Sequence, residues 1–285
     1  MAYNYLNPTE HRESLINRAN SDEFDLVQFC NIEREWFKKI LGDQWIKKRE
    51  AKLKKTGRIV YPIHGLLAHS YHLVNEIKKG TGLFTPDNYF FELVNLIKIL
   101  RKLETIKGFG DKIEKLKTQK WTDFDALIFE LKIASSYISS LSEVEFIEER
   151  PDKRTPDILV KHPKGDFQVE CKSRQIREIS TMDDTKIYIN RIMKDASNQF
   201  DKDLPGVLFC QLLTENNIDK AHRVMNIIKN IITESLNSNH NRNINEICII
   251  IPCYPILNDG NKKGRSLTNV QEWIRHPNPR YIFKN

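Results

Sequence analysis

Pro156-Asp157-Ile158-Leu159-Val160-Lys161-His162-Pro163-Lys164-Gly165-Asp166-Phe167-Gln168-Val169-Glu170-Cys171-Lys172 holds two short apolar-polar alternations separated by proline and glycine. A period of two is the signature of extended backbone, and His162-Pro163-Lys164-Gly165 supplies turn chemistry. The stretch therefore predicts strands over 157–161 and 166–172 joined by a tight turn. On the second strand Phe167, Val169 and Cys171 face one side and suit a core. Gln168, Glu170 and Lys172 face the other, so a carboxylate and an ammonium two residues apart share one surface. On the first strand Ile158 and Val160 take the core side, while Asp157 lies opposite with Leu159. If the strands pair through the turn, Asp157 approaches Glu170.

Two neighbouring carboxylates repel unless a cation lies between them, and oxygen donors suit Mg²⁺ or Mn²⁺. A divalent ion there can polarise a phosphodiester, supply hydroxide from bound water and stabilise the departing oxygen. Lys172 is then placed to orient the water or to offset developing negative charge. The plainer reading of the same residues is an exposed hairpin with a cross-strand ion pair, contributing about 0.2 to 1 kcal/mol.

The surrounding chain supplies elements on both sides. Thr122 can cap a helix whose first turn holds Asp123 and Asp125, and that helix is predicted to run to about Ser140. It carries Leu127, Leu131, Ala134, Ile138 and Leu141 on one stripe. Glu130 lies on or beside the stripe, where a carboxylate needs a partner, and a metal site at the stripe's edge would provide one. Three strands follow: Val144 to Glu148 and the two above. Next come a helix from about Asp184 to Asp201, an apolar run Val207 to Leu213, a helix Asp219 to Leu236 and an apolar run Ile247 to Ile251. The order is α-β-β-β-α-β, then α-β. Because the late strands are nearly all apolar, they predict burial on both faces, hence an α/β fold with a mixed central sheet flanked by helices. After Pro252 the chain is rich in Pro, Asn and Gly and reads as an irregular tail.

Pro156-Asp157, then Glu170 thirteen residues on, then Cys171 and Lys172, resembles the PD-(D/E)XK signature of the restriction-endonuclease-like nucleases. Glu130 matches the acidic residue often found on that superfamily's first core helix, and the element order matches its core. The resemblance covers roughly residues 121 to 255. It implies a nuclease fold in which Asp157 and Glu170 hold Mg²⁺ or Mn²⁺, the backbone carbonyl of Cys171 adds a ligand, and Lys172 assists catalysis. Gln199, on the helix after the motif, resembles a glutamine seen there in some members. The activity implied is a metal-dependent endonuclease acting on DNA in preference to RNA, in a restriction or phage-defence setting. Its alternative is a catalytically silent relative that binds nucleic acid or a protein.

From about residue 10 to 117 the apolar residues recur at spacings of three and four, as in Leu26, Phe29, Trp36 and Ile40, then Phe91, Val94, Ile97 and Leu103. Breaks fall at Gly42, at 79–82 and at Gly108-Phe109-Gly110. Two domains are thus expected: residues 1–118, a helical region for recognition, dimerisation or regulation, and 119–285, the nuclease-like domain. A homodimer fits this organisation.

The net charge of +7 and a pI near 9.0 favour polyanionic partners. The run Lys47-Lys48-Arg49 with Lys52, Lys54 and Lys55 can contact phosphates, although such runs are commonly solvated helix faces, and Lys112, Lys115, Lys117 and Lys120 read likewise. His64, His69 and His72 lack companions at metal-ligand spacing and read as core or surface residues. Five cysteines without a CxxC pair argue against a disulfide framework or zinc knuckle. With a polar N-terminus and no membrane-length apolar stretch, the expectation is a cytoplasmic protein without a membrane partner.

Overall fold

A computed structural model of the chain describes residues 26–59, 61–68, 88–138, 142–150, 152, 154–175, 182–213, 217–237, 241–253, 256–259, 262–265 and 268–280. His69, His72 and the break at 79–82 lie outside the described residues, as does the side chain of Cys30. The chain divides into two compact units, residues 10–135 and a second made chiefly of residues 136–285.

The first unit is helical, as the three-and-four spacing predicts. Its helices are α1 (Leu26–Leu41), α2 (Asp43–Thr56), α3 (Asn88–Leu103), α4 (Phe109–Thr118) and most of α5 (Trp121–Tyr137). A short helical stretch covers 62–68. Gly42 separates α1 from α2 and Gly108 precedes α4, so two of the three predicted breaks are element boundaries. Gly57 ends α2 in the left-handed conformation (φ 63°), where its N–H donates to the carbonyl of Leu53 at 2.8 Å. A side chain there would be strained. Phe37, Leu41, Leu100, Leu103, Leu116 and Leu131 are fully buried, each worth about 1.5–3 kcal/mol of transfer free energy. The expected boundary at 118/119 lies at the start of α5, whereas the division between units falls near its C-terminal end.

The second unit is built on a mixed six-stranded sheet. Its strands are β1 (Glu143–Phe146), β2 (Ile158–Lys161), β3 (Phe167–Gln175), β4 (Gly206–Leu213), β5 (Ile244–Cys253) and β8 (Thr268–Arg275), in the order β1-β2-β3-β4-β5-β8. β1, β2 and β3 are antiparallel, β3, β4 and β5 run parallel, and β8 closes the edge antiparallel to β5. Helices α6 (Met182–Ser197) and α7 (Ile218–Leu236) provide the parallel crossovers. Their apolar stripes, including Ile189, Ile192, Met193, Ile228 and Ile232, bury one face of the sheet against Leu208, Cys210, Leu212, Ile247, Ile249 and Ile251. On the opposite face Tyr137 meets Phe167 and Phe209 edge-on at 5.4 and 6.0 Å, and Phe209 meets Trp273 at 5.3 Å.

Two expectations are corrected. The tail after Pro252 is not irregular: β6 (Ile256–Asp259) and β7 (Lys262–Arg265) form a two-stranded sheet, and β8 joins the main one. Val270 and Ile274 of β8 bury themselves in the core that α6 and α7 cover, which offsets the poor strand propensity of the Asn- and Gly-rich chain before it. The helix expected over 184–201 ends at Ser197, so Gln199 stands in the turn beyond it, its N–H bonded to the carbonyl of Ala196 at 2.9 Å. Among the described residues Cys171, Cys210, Cys248 and Cys253 form no disulfide.

Candidate functional site

The hairpin quoted at the outset forms, and its turn explains its register. Gly165 adopts φ 128°, a conformation open to glycine, and its N–H closes onto the carbonyl of His162 at 2.8 Å. Lys164 N–H donates to His162 Nδ1 at 3.1 Å and His162 N–H to Asp166 Oδ1 at 3.3 Å. With that turn set, β2 and β3 pair Ile158 with Val169 and Val160 with Phe167. The register ends at Ile158, and Asp157 lies in the bend that leads into β2, beside the Val169-Glu170-Cys171 stretch of β3.

Asp157 is pinned by its own backbone before its side chain acts. Its N–H donates to the carbonyl of Val169 at 3.1 Å, and its carbonyl accepts from the N–H of Ile147 at 3.0 Å. One carboxylate oxygen, Oδ2, accepts from the backbone N–H of Cys171 at 2.7 Å. A short charge-assisted bond of this kind fixes the carboxylate against the Glu170-Cys171-Lys172 stretch.

Glu170 is only 1% exposed and forms an ion pair with Lys172 on the same face of β3. A buried carboxylate demands such compensation. The ammonium has a second anchor: Lys172 Nζ donates to Gln199 Oε1 at 2.8 Å, and Gln199 Nε2 donates to the carbonyl of Thr155 at 3.1 Å. Gln199 therefore ties Lys172 to the segment that enters β2 just before Asp157. Gln168, next on the same face and 2% exposed, accepts the N–H of Asp201 with its Oε1 at 2.8 Å. It fastens the turn that carries Gln199 to β3. Sequence reasoning placed Gln168 on this face without giving it a task, and passed over Thr155, which acts through its backbone carbonyl.

Glu130 has a different setting. In the helical unit it is buried and ion-paired with Lys112 of α4, which is itself 4% exposed. The partner that a carboxylate on an apolar stripe requires is thus a lysine of the neighbouring helix. Lys117 pairs with Glu114 along α4, so the basic run from Lys112 to Lys120 is partly consumed inside its own unit. His64 is buried with its ring edge-on to Trp45 at 6.3 Å. Burial holds its imidazole below the usual histidine range, against a raising contribution from Glu50 and with a lowering one from Arg49.

Among the described residues no group of three or more His, Cys, Asp and Glu side chains forms a metal cage. The β2–β3 site offers the Asp157 carboxylate, held at the Cys171 N–H, the Glu170 carboxylate one residue before it, and the main chain of Cys171. That is the kind of set Mg²⁺ uses, since it is ordinarily held by one or two carboxylates and completes its shell with water. Among the described residues no helix is long and apolar enough to cross a membrane.

The fold defines an α/β protein with a mixed six-stranded sheet. No protein-family model, no curated protein and no solved structure matches the chain.

Proposed function

We propose that this protein is a metal-dependent nuclease of the PD-(D/E)XK type that hydrolyses phosphodiester bonds of DNA. One observation carries the reading: the Asp157 carboxylate accepts from the Cys171 N–H, beside Glu170, while Lys172 pairs with Glu170 on one face of β3 and is held there by Gln199. The α-β-β-β-α-β chain order from α5 through β4 supports it. Asp157, Glu170 and the carbonyl of Cys171 are the oxygen donors that would hold Mg²⁺ or Mn²⁺. When bound, such an ion supplies Lewis-acid polarisation of the phosphate and a hydroxide at neutral pH. The chain's own residues do the rest. Asp157, locked by the Cys171 N–H, presents its carboxylate in a fixed direction. Lys172, steered by Gln199, offers a positive charge where negative charge grows on the phosphate.

The test is incubation of plasmid, linear DNA and RNA with the full chain and Mg²⁺ or Mn²⁺, beside Glu170→Ala and Lys172→Ala. Wild type is expected to cut DNA, Glu170→Ala to be inactive, and Lys172→Ala to fall by about 10²–10³-fold. Equal cleavage by all three proteins defeats the proposal. The near-complete burial of Glu170 under its ion pair favours a second reading, a silent relative that binds nucleic acid without cutting it. Metal-independent binding of DNA with no cleavage in either metal is its mark.

A further inference from the structure

The end of α2 and the two residues after it form the most basic stretch of the sequence, although the whole helix, with Asp43 and Glu50, nets only four positive charges. From Lys47 to Arg58 the chain holds seven cations and one acid, Glu50, an excess of six against +7 for the whole protein. Lys47, Lys48, Lys52, Lys54, Lys55 and Arg58 are all exposed. Among the described residues none of the six is ion-paired, in contrast to Lys112 and Lys117 of α4. At about 100° per residue the five helical lysines occupy about 160° of the circumference, with buried Ile46 on the other side.

The inner side of the helix is fastened separately. The Arg49 guanidinium lies 4.2 Å from the ring centre of Tyr61 and 5.5 Å from that of Trp45, a cation–π arrangement that spends the one inward cation on packing. The remaining cations repel one another, at about 0.2–0.5 kcal/mol for a like-charged pair such as Lys48 and Lys52 one turn apart. A surface serving solubility alone would intersperse the signs. A polyanion laid along the helix converts this repulsion into attraction.

We infer that the outward face of α2 is a docking surface for the phosphodiester backbone of double-stranded DNA. Lys47 to Lys55 spans about 12 Å at 1.5 Å per residue, enough to meet about three successive phosphates of one strand at 3.4 Å of axis each. Lysines on flexible stems grip phosphates as point charges and read no bases, so the contact positions the duplex without selecting a sequence. The inference shares its substrate class with the proposed nuclease and is independent of that enzyme's chemistry.

The test is fluorescence anisotropy of a labelled mixed-sequence duplex with the full chain in EDTA, over a range of salt. The variant Lys48→Gln/Lys52→Gln/Lys55→Gln is compared with Lys194→Gln/Arg223→Gln/Arg242→Gln, which removes the same charge from exposed positions of the sheet unit. Glutamine preserves helix propensity, and circular dichroism checks folding. Wild type is expected to bind, and the α2 variant to bind more weakly, with its slope of log K against log salt reduced by about 2.7, or 0.9 for each of three phosphates. The control variant retains the wild-type slope. The inference is overturned if wild type does not bind, if the α2 variant keeps its slope, or if the control loses as much. In a parallel arm with anionic phospholipid vesicles, an α2 variant that loses vesicle binding while its duplex binding is unchanged also overturns it. Because no step requires cleavage, a failed nuclease assay leaves this result standing, and the reverse holds.

Discussion

Gln199→Ala removes both links that hold Lys172 to the entry of β2. The lost bonds are the 2.8 Å contact from Lys172 Nζ and the 3.1 Å contact to the carbonyl of Thr155. A hydrogen bond to a charged group is worth about 1.5–3 kcal/mol net, and a neutral one about 0.5–1.5 kcal/mol. The Lys172 side chain is 19% exposed, so water reaches the ammonium after the substitution and recovers part of the loss. A net destabilisation of about 2 kcal/mol is expected, which lowers the urea midpoint by about 1 M at a slope near 2 kcal/mol/M. Gln199→Glu keeps an acceptor for Lys172 but turns a carboxylate toward the Thr155 carbonyl, so its midpoint should fall between wild type and Gln199→Ala. In the nuclease assay a freely rotating Lys172 is expected to lower kcat by about tenfold or more with little change in KM, the signature of a group that acts in the transition state. Unfolding midpoints for Gln199→Ala within about 0.5 kcal/mol of wild type would class the bridge as an ordinary surface contact and refute the positioning argument.

Three further outcomes follow from the packing. A Cβ at Gly206 would lie 2.5 Å from the backbone oxygen of Asn243 and 2.6 Å from the Phe200 ring; Gly206→Ala is therefore expected to cost about 1–3 kcal/mol by urea unfolding, and an unchanged midpoint would show that the start of β4 can yield. Glu130→Gln leaves Lys112 buried without its counter-charge and should cost about 3–5 kcal/mol, whereas Glu130→Leu/Lys112→Met should recover most of it; equal losses in both would deny the pair its structural role. His64 has its proton affinity lowered in the folded state, chiefly by burial. The unfolded chain then binds that proton more tightly, so stability is fully present above about pH 6.5 and declines as the pH falls below it. His64→Gln should flatten this acid limb in chemical denaturation between pH 7 and 5, and an identical slope in the variant would assign the dependence elsewhere.

How much of the site was legible depends on how local its causes are. The shared face of Glu170 and Lys172 and the nearness of Asp157 to that stretch could be read directly, because strand alternation and the Pro163–Gly165 turn act within a single hairpin. The sequence pattern extends the helix to Asp201 and so puts Gln199 on it, because the polar and apolar residues continue their helical spacing past Ser197. The end of that helix is decided by Gln168 gripping Asp201 and by Phe200 packing into the core, contacts made by distant chain. For Glu130 the helical face was legible and its partner was not, since periodicity marks a carboxylate as lying at an apolar edge without saying which element covers that edge. The last strand shows the same limit: Val270 and Ile274 alternate as a strand should, yet only the open edge of β5 makes them one.

The amino-acid sequence by itself determined the helical character of residues up to α5, the β2–β3 hairpin and the face of β3 that Glu170 and Lys172 share. Steric preferences and turn chemistry operate over a few residues and need no partner. The tertiary structure alone decided the parallel order of β3, β4 and β5, the recruitment of β8, the reach of Gln199 to Lys172 and the capture of Glu130 by Lys112. Each of these matches groups far apart in the chain, and the free energy that selects them comes from burial and charge pairing that exist only once the chain has folded.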